Sequence, residues 1–176
     1  MQTRIQRLSK LHPSDISHMD CSFRVEYMAT LPFEETALNH ISSIAPYNKT
    51  YDFESDFQVN DHNPSVIIVA NSAENIIEGY MMVSLDWNNC VIIEDFCVDS
   101  KHRGKGIGKL LMDEAVRWTT QIGLGTIRLE TQNTNVPACR FYERYGFRLG
   151  GYDRYLYSAI EKGGRNEIAL FYYLNL

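Results

Sequence analysis

Three apolar segments lie between residues 66 and 98, and a glycine-rich loop follows the last of them directly. Residues 66–70, 76–85 and 90–98 are rich in β-branched side chains, which predicts three strands. The polar connections at residues 71–75 and 86–89 are typical of hairpin turns. The chain is therefore predicted to enter its glycine-rich loop from an antiparallel β-meander and not from a parallel βαβ crossover.

The glycine-rich loop has the sequence RGKGIG at residues 103–108 and leads into an amphipathic helix predicted at residues 106–122. Glycines let the backbone approach a ligand and turn several N–H groups toward one anion, and the helix start adds a positive dipole end. The glycine spacing differs from both G-x-x-x-x-G-K-[ST] and G-x-G-x-x-G, which excludes a P-loop and a Rossmann dinucleotide-binding motif. A pyrophosphate suits this loop, and a solvated glycine turn is the alternative that the loop alone leaves open.

The remaining elements follow from periodicity and turn residues. The predicted strands cover residues 4–8, 23–31, 126–131, 148–157 and 167–174, and the predicted helices cover residues 14–19 and 136–145. Residues 45–61 have no clear period and are predicted to be a loop or an irregular helix. This order favours one α/β domain spanning residues 1–176, with a mixed, mostly antiparallel central sheet flanked by helices.

Composition excludes several classes of protein. The net charge of −5 argues against a nucleic-acid-binding surface, and no apolar run approaches the ~20 residues that span a bilayer. The four cysteines have no C-x-x-C spacing and no clustered histidines, which argues against a metal site. No signal-peptide pattern is visible, so a cytoplasmic protein with free thiols is predicted, either monomeric or homodimeric.

A second motif, NVPACRFYERYGF, occupies residues 135–147. Together with RGKGIG, and with a helix and a strand between them, it resembles the paired motifs R/Q-x-x-G-x-G/A and N-x-x-A-x-x-F-Y-x-x-x-G-F of the GNAT superfamily of N-acetyltransferases. The resemblance covers residues 66–157. It implies the GNAT fold and acetyl-CoA as the acetyl donor, with the pyrophosphate of acetyl-CoA in the glycine-rich loop.

The same resemblance implies which residues bind acetyl-CoA. A strand end pairs its backbone with the pantetheine amides, the loop binds the pyrophosphate, and a polar residue before the second helix contacts the pantetheine arm. The implied binding residues are Phe96, Cys97, Val98, Arg103, Gly104, Lys105, Gly106, Ile107, Gly108, Lys109, Asn135 and Tyr142.

Acetyl transfer to an amine needs a base for the ammonium proton and an acid for the departing thiolate. Glu94 and Asp95 lie on an otherwise apolar strand, where alternation predicts that they point to opposite faces. Glu94 is the predicted base, acting through water. The alternative is that one or both carboxylates only pair with an arginine or cap a sheet edge. Tyr142 falls on the position that the resemblance assigns to the general acid. An acetyl-cysteine relay through Cys97 or Cys139 is disfavoured because neither has a histidine nearby in the sequence.

A narrower resemblance, to streptothricin acetyltransferases, rests on short matches at residues 45–47, 93–95, 129–132, 138–139 and 171–174. It implies acetylation of an amine on the β-lysine arm of this antibiotic, by direct attack in a ternary complex. Asp95, Tyr47, Asp52 and Glu54 are the predicted contacts to this cationic substrate, and a solvated acidic surface is the alternative for the acidic and aromatic segment that contains Tyr47, Asp52 and Glu54. A polyamine, an aminoglycoside or a protein amine remains an alternative acceptor, and a non-catalytic CoA-binding sensor remains an alternative class.

Overall fold

The computed structural model describes residues 3–50, 57–59, 63–158 and 167–176. The chain divides into two compact units. One contains residues 1–23, 50–127 and 176, and the other contains residues 24–49 and 128–175. Each unit is therefore assembled from stretches that are distant in sequence.

The elements in the described residues are given in chain order. They are β1 (Arg4–Leu8), β2 (Lys10–Leu11), α1 (Pro13–Ile16), β3 (Phe23–Ala29), β4 (Ile41–Lys49), β5 (Phe57–Gln58), β6 (Ser65–Asn71), β7 (Ile77–Leu85), β8 (Val91–Val98), α2 (Ile107–Gln121), β9 (Thr126–Gln132), α3 (Val136–Tyr145), β10 (Arg148–Asp153) and β11 (Ala169–Asn175). In addition, a turn of 3₁₀ helix covers Ser100–His102.

The first unit is built on four antiparallel strands in the spatial order β1-β6-β7-β8. Burial of branched side chains on both faces explains why β6 is apolar along almost its whole length. One face carries a cluster that includes Leu11, Ile16, Ile67, Val69 and Tyr80. Helix α2 packs against β6, β7 and β8.

Gly79 on β7 allows the first turns of α2 to come close to the strand. A β-carbon at this position would lie 3.2 Å from both Ile107 Cγ2 and Leu111 Cδ1, and 3.1 Å from the carbonyl oxygen of Cys97. These distances are tighter than ordinary van der Waals contact, so a side chain here would push the helix start outward. The glycine thus contributes to the placement of the loop that precedes α2.

In the second unit, β11 lies between β9 and β10 and pairs antiparallel with β10, while β3 and β4 form a separate two-stranded sheet. Helix α3 begins after Asn135, whose Oδ1 accepts a 3.2 Å hydrogen bond from the Ala138 amide. The helix ends at Gly146, which has a left-handed φ of 119°. Asn135 is therefore the N-cap residue of α3.

The predicted mixed α/β fold with mostly antiparallel strands is confirmed, and most predicted elements match within a few residues. The prediction for residues 45–61 is wrong where they are described, because β4 extends through Lys49 and β5 covers Phe57–Gln58. Strand β4 lacks the alternation of apolar and polar residues that is typical of strands, and it contains Pro46. Because of both features, the sequence pattern does not predict a strand here. Strand β4 pairs in a two-stranded sheet, where a proline is tolerated.

Candidate active site

Strand β8 carries both predicted carboxylates and contains a β-bulge at Glu94. Asp95 lies opposite Met82 of β7, whereas Ile93 lies opposite Val83, so Glu94 is the extra residue between two regular stretches. Met82 and Val83 are consecutive residues and point to opposite faces of the sheet. Ile93 and Asp95 therefore point to opposite faces as well, although they are two residues apart.

The bulge lets both carboxylates contact the same face of β7. Glu94 accepts a hydrogen bond from the hydroxyl of Ser84, and Asp95 Oδ2 accepts one of 2.8 Å from the hydroxyl of Tyr80. Ser84 and Tyr80 are four residues apart on the strand and so share a face. The prediction that Glu94 and Asp95 diverge to opposite faces is wrong, because the bulge breaks the alternation on which it relied.

The two carboxylates have different surroundings. Glu94 is exposed, whereas Asp95 is half-buried and its Oδ1 accepts a 2.7 Å hydrogen bond from the Phe96 amide. Burial raises the pKa of Asp95 above its ordinary value, and the hydrogen bonds from Tyr80 and Phe96 offset only part of that effect. Glu94 is the more accessible group for proton exchange, and Asp95 is held by interior donors.

The glycine-rich loop at residues 103–108 contains two glycines with a left-handed backbone conformation. Gly104 and Gly106 have φ values of 75° and 87°, in the left-handed region that favours glycine, and no atom beyond the adjacent residues lies within 4 Å of either β-carbon position. Helix α2 begins at Ile107 with no acidic residue in its first turn. An open glycine backbone at a helix start fits a pyrophosphate, since the first N–H groups of a helix have no intrahelical acceptor.

Basic residues of the loop differ in their contacts. The guanidinium of Arg103 donates hydrogen bonds to the carbonyl oxygens of Val98 at 2.9 Å and Ser22 at 2.7 Å. Lys109 pairs with Asp113 on the next turn of α2 at 2.7 Å, and Lys105 is exposed. Arg103 therefore connects the loop to the backbone of Val98 and Ser22 through hydrogen bonds. A contact between its charge and acetyl-CoA stays a prediction.

Cys21 and Cys97 form a disulfide with their Cα atoms 6.0 Å apart, so the prediction of free thiols is wrong for this pair. The sequence hid the pair because 76 residues separate its members. Cys139 is fully buried, and burial raises the pKa of its thiol to about 12. Neither Cys97 nor Cys139 is therefore an available thiolate, which agrees with direct transfer.

In the second unit, Tyr142 on α3 lies within a group of aromatic rings. Its ring centroid is 5.8 Å from that of Phe147 and 6.0 Å from that of Tyr172, and Tyr142 is 8% exposed. The Tyr172 hydroxyl donates a 2.8 Å hydrogen bond to Glu143, which also accepts from Thr36 at 2.6 Å. Packing against these two rings thus fixes the orientation of the Tyr142 ring.

Tyr47, a predicted substrate contact, belongs to a polar network around Glu167. The buried Glu167 carboxylate accepts hydrogen bonds from Thr134 at 2.6 Å and Tyr47 at 3.4 Å and forms an ion pair with Lys49. Burial raises the pKa of Glu167, but the hydrogen bonds from Lys49 and Thr134 lower it below its ordinary value overall. Sequence reasoning missed Glu167, although a carboxylate at the start of an apolar strand indicates that a partner is needed.

Two predicted substrate contacts, Asp52 and Glu54, lie outside the described residues. In the part of the chain that is described, no group of three or more His, Cys, Asp or Glu side chains could hold a metal ion. The same part contains no helix that is both long enough and apolar enough to cross a membrane.

The sequence profile of the acetyltransferase (GNAT) family matches residues 28–147, which include Glu94, the glycine-rich loop and Tyr142. The chain belongs to the GNAT acetyltransferases. The predicted family and the predicted enzyme class are thereby confirmed.

Particular relatives of this GNAT acetyltransferase support the narrower resemblance. Streptothricin acetyltransferase from Escherichia coli is 34% identical over 131 residues, which are 74% of this chain and 72% of that protein. A crystal structure from Bacillus anthracis, assigned as a streptothricin acetyltransferase in complex with acetyl coenzyme A, has a TM-score of 0.84 and 32% identity, and covers 99% of this chain and 100% of its own. Nourseothricin acetyltransferase has a TM-score of 0.70 and 28% identity, and covers 98% of both chains.

Proposed function

We propose that this GNAT acetyltransferase moves the acetyl group of acetyl-CoA to a primary amine of streptothricin and so inactivates the antibiotic. The proposal rests on three elements that follow one another along the chain: the bulged strand β8, the glycine-rich loop and the start of α2. This stretch presents an exposed carboxylate, Glu94, ten residues before the first glycine of an open backbone that suits an anion, Gly104. The streptothricin acetyltransferases that resemble the chain supply the choice of acceptor.

Acetyl-CoA supplies an already reactive thioester when bound, so the protein contributes mainly positioning and proton transfer. The backbones of Gly104 and Gly106 and the first N–H groups of α2 bind the pyrophosphate, and Lys105 adds charge. The backbone of Phe96, Cys97 and Val98 pairs with the pantetheine arm, which Asn135 also contacts. The left-handed glycines, with open space where side chains would be, support this assignment.

Glu94 is the proposed base. An alkyl ammonium with a pKa of about 10.4 must lose a proton before its nitrogen can attack. Glu94 is exposed and accepts a hydrogen bond from Ser84, which orients the carboxylate without burying it. It takes the proton through water, as a general base positioned beside the reacting amine would.

Tyr142 is the proposed acid. A phenol can donate a proton without carrying a charge beforehand, and the thiolate leaves more easily once protonated. The rings of Phe147 and Tyr172 hold Tyr142 in one orientation, which favours a directed proton transfer. The reaction proceeds by direct attack, since Cys97 is in a disulfide and the thiol of Cys139 is buried.

The part of the active site that receives the amine is proposed to bind the cationic β-lysine arm of streptothricin. Asp95, Tyr47, Asp52 and Glu54 remain the proposed contacts, and Asp95 brings a carboxylate to the same face of β7 as Glu94. The enzyme is proposed to act on the free antibiotic in the cytoplasm, where acetyl-CoA is available, as a monomer or a homodimer and without nucleic acid or membrane partners.

An amine panel tests this function. Purified protein is mixed with acetyl-CoA and either streptothricin, spermidine, an aminoglycoside or a lysine peptide, and thiol release is measured. We expect the highest kcat/KM with streptothricin and a product heavier by one acetyl group. Preference for another amine would change the acceptor only, whereas CoA binding without turnover on any amine would favour a sensor.

A further inference from the structure

The segment at residues 20–22, which connects α1 to β3, lies against the start of the glycine-rich loop. The Ser100 amide donates a 2.9 Å hydrogen bond to the Asp20 carbonyl, and the Asp20 amide donates one of 3.3 Å to Asp99. At its other end, the Ser22 carbonyl accepts a hydrogen bond from Arg103. Hydrogen bonds to main-chain groups therefore connect both ends of this segment to the residues that lead into the loop.

The side chain of Asp20 adds a second set of contacts. Its Oδ2 accepts a 2.9 Å hydrogen bond from the Ser100 hydroxyl, and its Oδ1 accepts one of 2.9 Å from the Ser22 amide. Hydrogen bonds from Ser22 and Ser100, together with the charge of Arg103, lower the pKa of Asp20. Asp20 is therefore an ionised carboxylate that accepts hydrogen bonds from both Ser100 and Ser22. The carbonyl of Ser22 in turn accepts a hydrogen bond from Arg103.

Covalent and polar contacts converge on the same segment. Cys21 is bonded to Cys97 of β8, and the neighbouring Val98 carbonyl accepts the Nε hydrogen bond of Arg103. The third Arg103 contact, from Nη2 to the Asp20 carbonyl, measures 3.4 Å. The guanidinium is thus held between the end of β8 and residues 20–22.

We propose that Asp20 is a positioning residue for acetyl-CoA binding, acting through Ser100 and Arg103 on the backbone of Gly104 and Gly106. Glycine has the greatest conformational freedom of any residue, and neither loop glycine has a side chain that neighbours could hold. A loop that is binding-competent only part of the time binds its ligand more weakly by that fraction. The inference rests on the proposed function, because it takes acetyl-CoA as the ligand of this loop.

The test compares Asp20→Ala, Asp20→Asn and Ser100→Ala with wild type in steady-state kinetics and in calorimetric titration with CoA. Asp20→Ala removes two hydrogen bonds, so the KM for acetyl-CoA and the Kd for CoA should rise roughly five- to tenfold. Asp20→Asn keeps an acceptor oxygen and should recover part of the loss, and Ser100→Ala should cost roughly threefold. The kcat and the KM for the amine should stay within about twofold of wild type.

Asp15→Ala is the matched control, since Asp15 is another exposed carboxylate, on α1, and accepts a hydrogen bond from the His12 amide. It should leave both acetyl-CoA constants unchanged. If Asp20→Ala did not fold, Ser100→Ala and Asp20→Asn would still decide the question. An unchanged KM for acetyl-CoA in the folded variants, or a fall in kcat alone, would overturn the inference while wild type still bound CoA. Failure of wild type to bind CoA would instead overturn the proposed function.

Discussion

The hydroxyl of Tyr80 donates a 2.8 Å hydrogen bond to Oδ2 of Asp95, in a pair that the cross-strand register of β7 and β8 places on one face. Tyr80 is fully buried, and burial together with the adjacent carboxylate raises the pKa of its hydroxyl. Asp95 is therefore tied to the interior by a donor that keeps its proton. Glu94, its sequence neighbour, is exposed and contacts a serine hydroxyl, so the two carboxylates differ in what their loss should do.

Glu94→Gln should lower kcat by roughly 10²-fold, because a positioned general base contributes about that much or more to a proton-transfer step. The melting temperature should change little, since Glu94 is exposed. Asp95→Asn is the paired variant and should lower the melting temperature, because Asp95 accepts hydrogen bonds from Tyr80 and Phe96. It should also raise the KM for the amine, because Asp95 is a proposed contact to the cationic substrate. Initial-rate kinetics and thermal unfolding on both proteins check this; a fully active Glu94→Gln enzyme would rule out Glu94 as the base.

Tyr142→Phe should lower kcat while leaving the acetyl-CoA affinity nearly unchanged, because the ring and its packing against Phe147 are kept and only the hydroxyl is lost. Tyr172→Phe is the control: it also removes one phenolic hydroxyl, which donates to Glu143 at 2.8 Å. That variant should lose stability, by about 1–3 kcal/mol, and retain turnover. Equal turnover of the Tyr142→Phe and wild-type enzymes would remove Tyr142 from the acid role.

Gly79→Ala should weaken both folding and acetyl-CoA binding. The added methyl group would lie 3.1–3.2 Å from Cys97, Ile107 and Leu111, and overpacking of this kind costs about 1–3 kcal/mol. The start of α2 must shift to relieve it, which should raise the KM for acetyl-CoA. Gly125→Ala is the control, since nothing lies within 4 Å of its β-carbon position. Denaturant unfolding and kinetics on the two variants measure both effects; matching results would contradict the role assigned to Gly79.

Glu167→Gln should lower the free energy of unfolding by about 3 kcal/mol at neutral pH, because it leaves the largely buried Lys49 without its partner charge. The folded state lowers the pKa of Glu167 from 4.5, so its stabilising contribution is present above pH 4.5 and is lost as pH falls through the lower folded value. The difference between variant and wild type should therefore shrink in acid.

Glu26→Gln provides the comparison for that experiment, since Glu26 pairs with Arg24 in an exposed ion pair. Such pairs contribute about 0–1 kcal/mol, so this variant should track wild type at every pH. Urea unfolding at a series of pH values measures both variants. A difference between Glu167→Gln and wild type that persisted unchanged in acid would show that the Glu167 network is stabilised by packing and not by charge.

Much of the fold and part of the candidate site could be predicted because the signals are local. The strand pattern of β6, the cap at Asn135 and the left-handed glycines of the loop are each determined by residues within a few positions. The strand β4 could not be predicted, because its pairing with β3 and not its own periodicity makes it a strand. The bulge at Glu94 likewise depends on the register with β7.

The sequence by itself determined the family, the order of the elements and the loop that suits a pyrophosphate, because glycine spacing, helical period and capping residues act over short distances along the chain. Only the tertiary structure decided which groups meet. Cys21 pairs with Cys97, Glu167 meets Lys49 and Thr134, and Arg103 is held by the carbonyls of Ser22 and Val98. Several of these partners are separated by many residues, so their contacts depend on how the strands and loops pack in the folded chain, which no short stretch of sequence encodes.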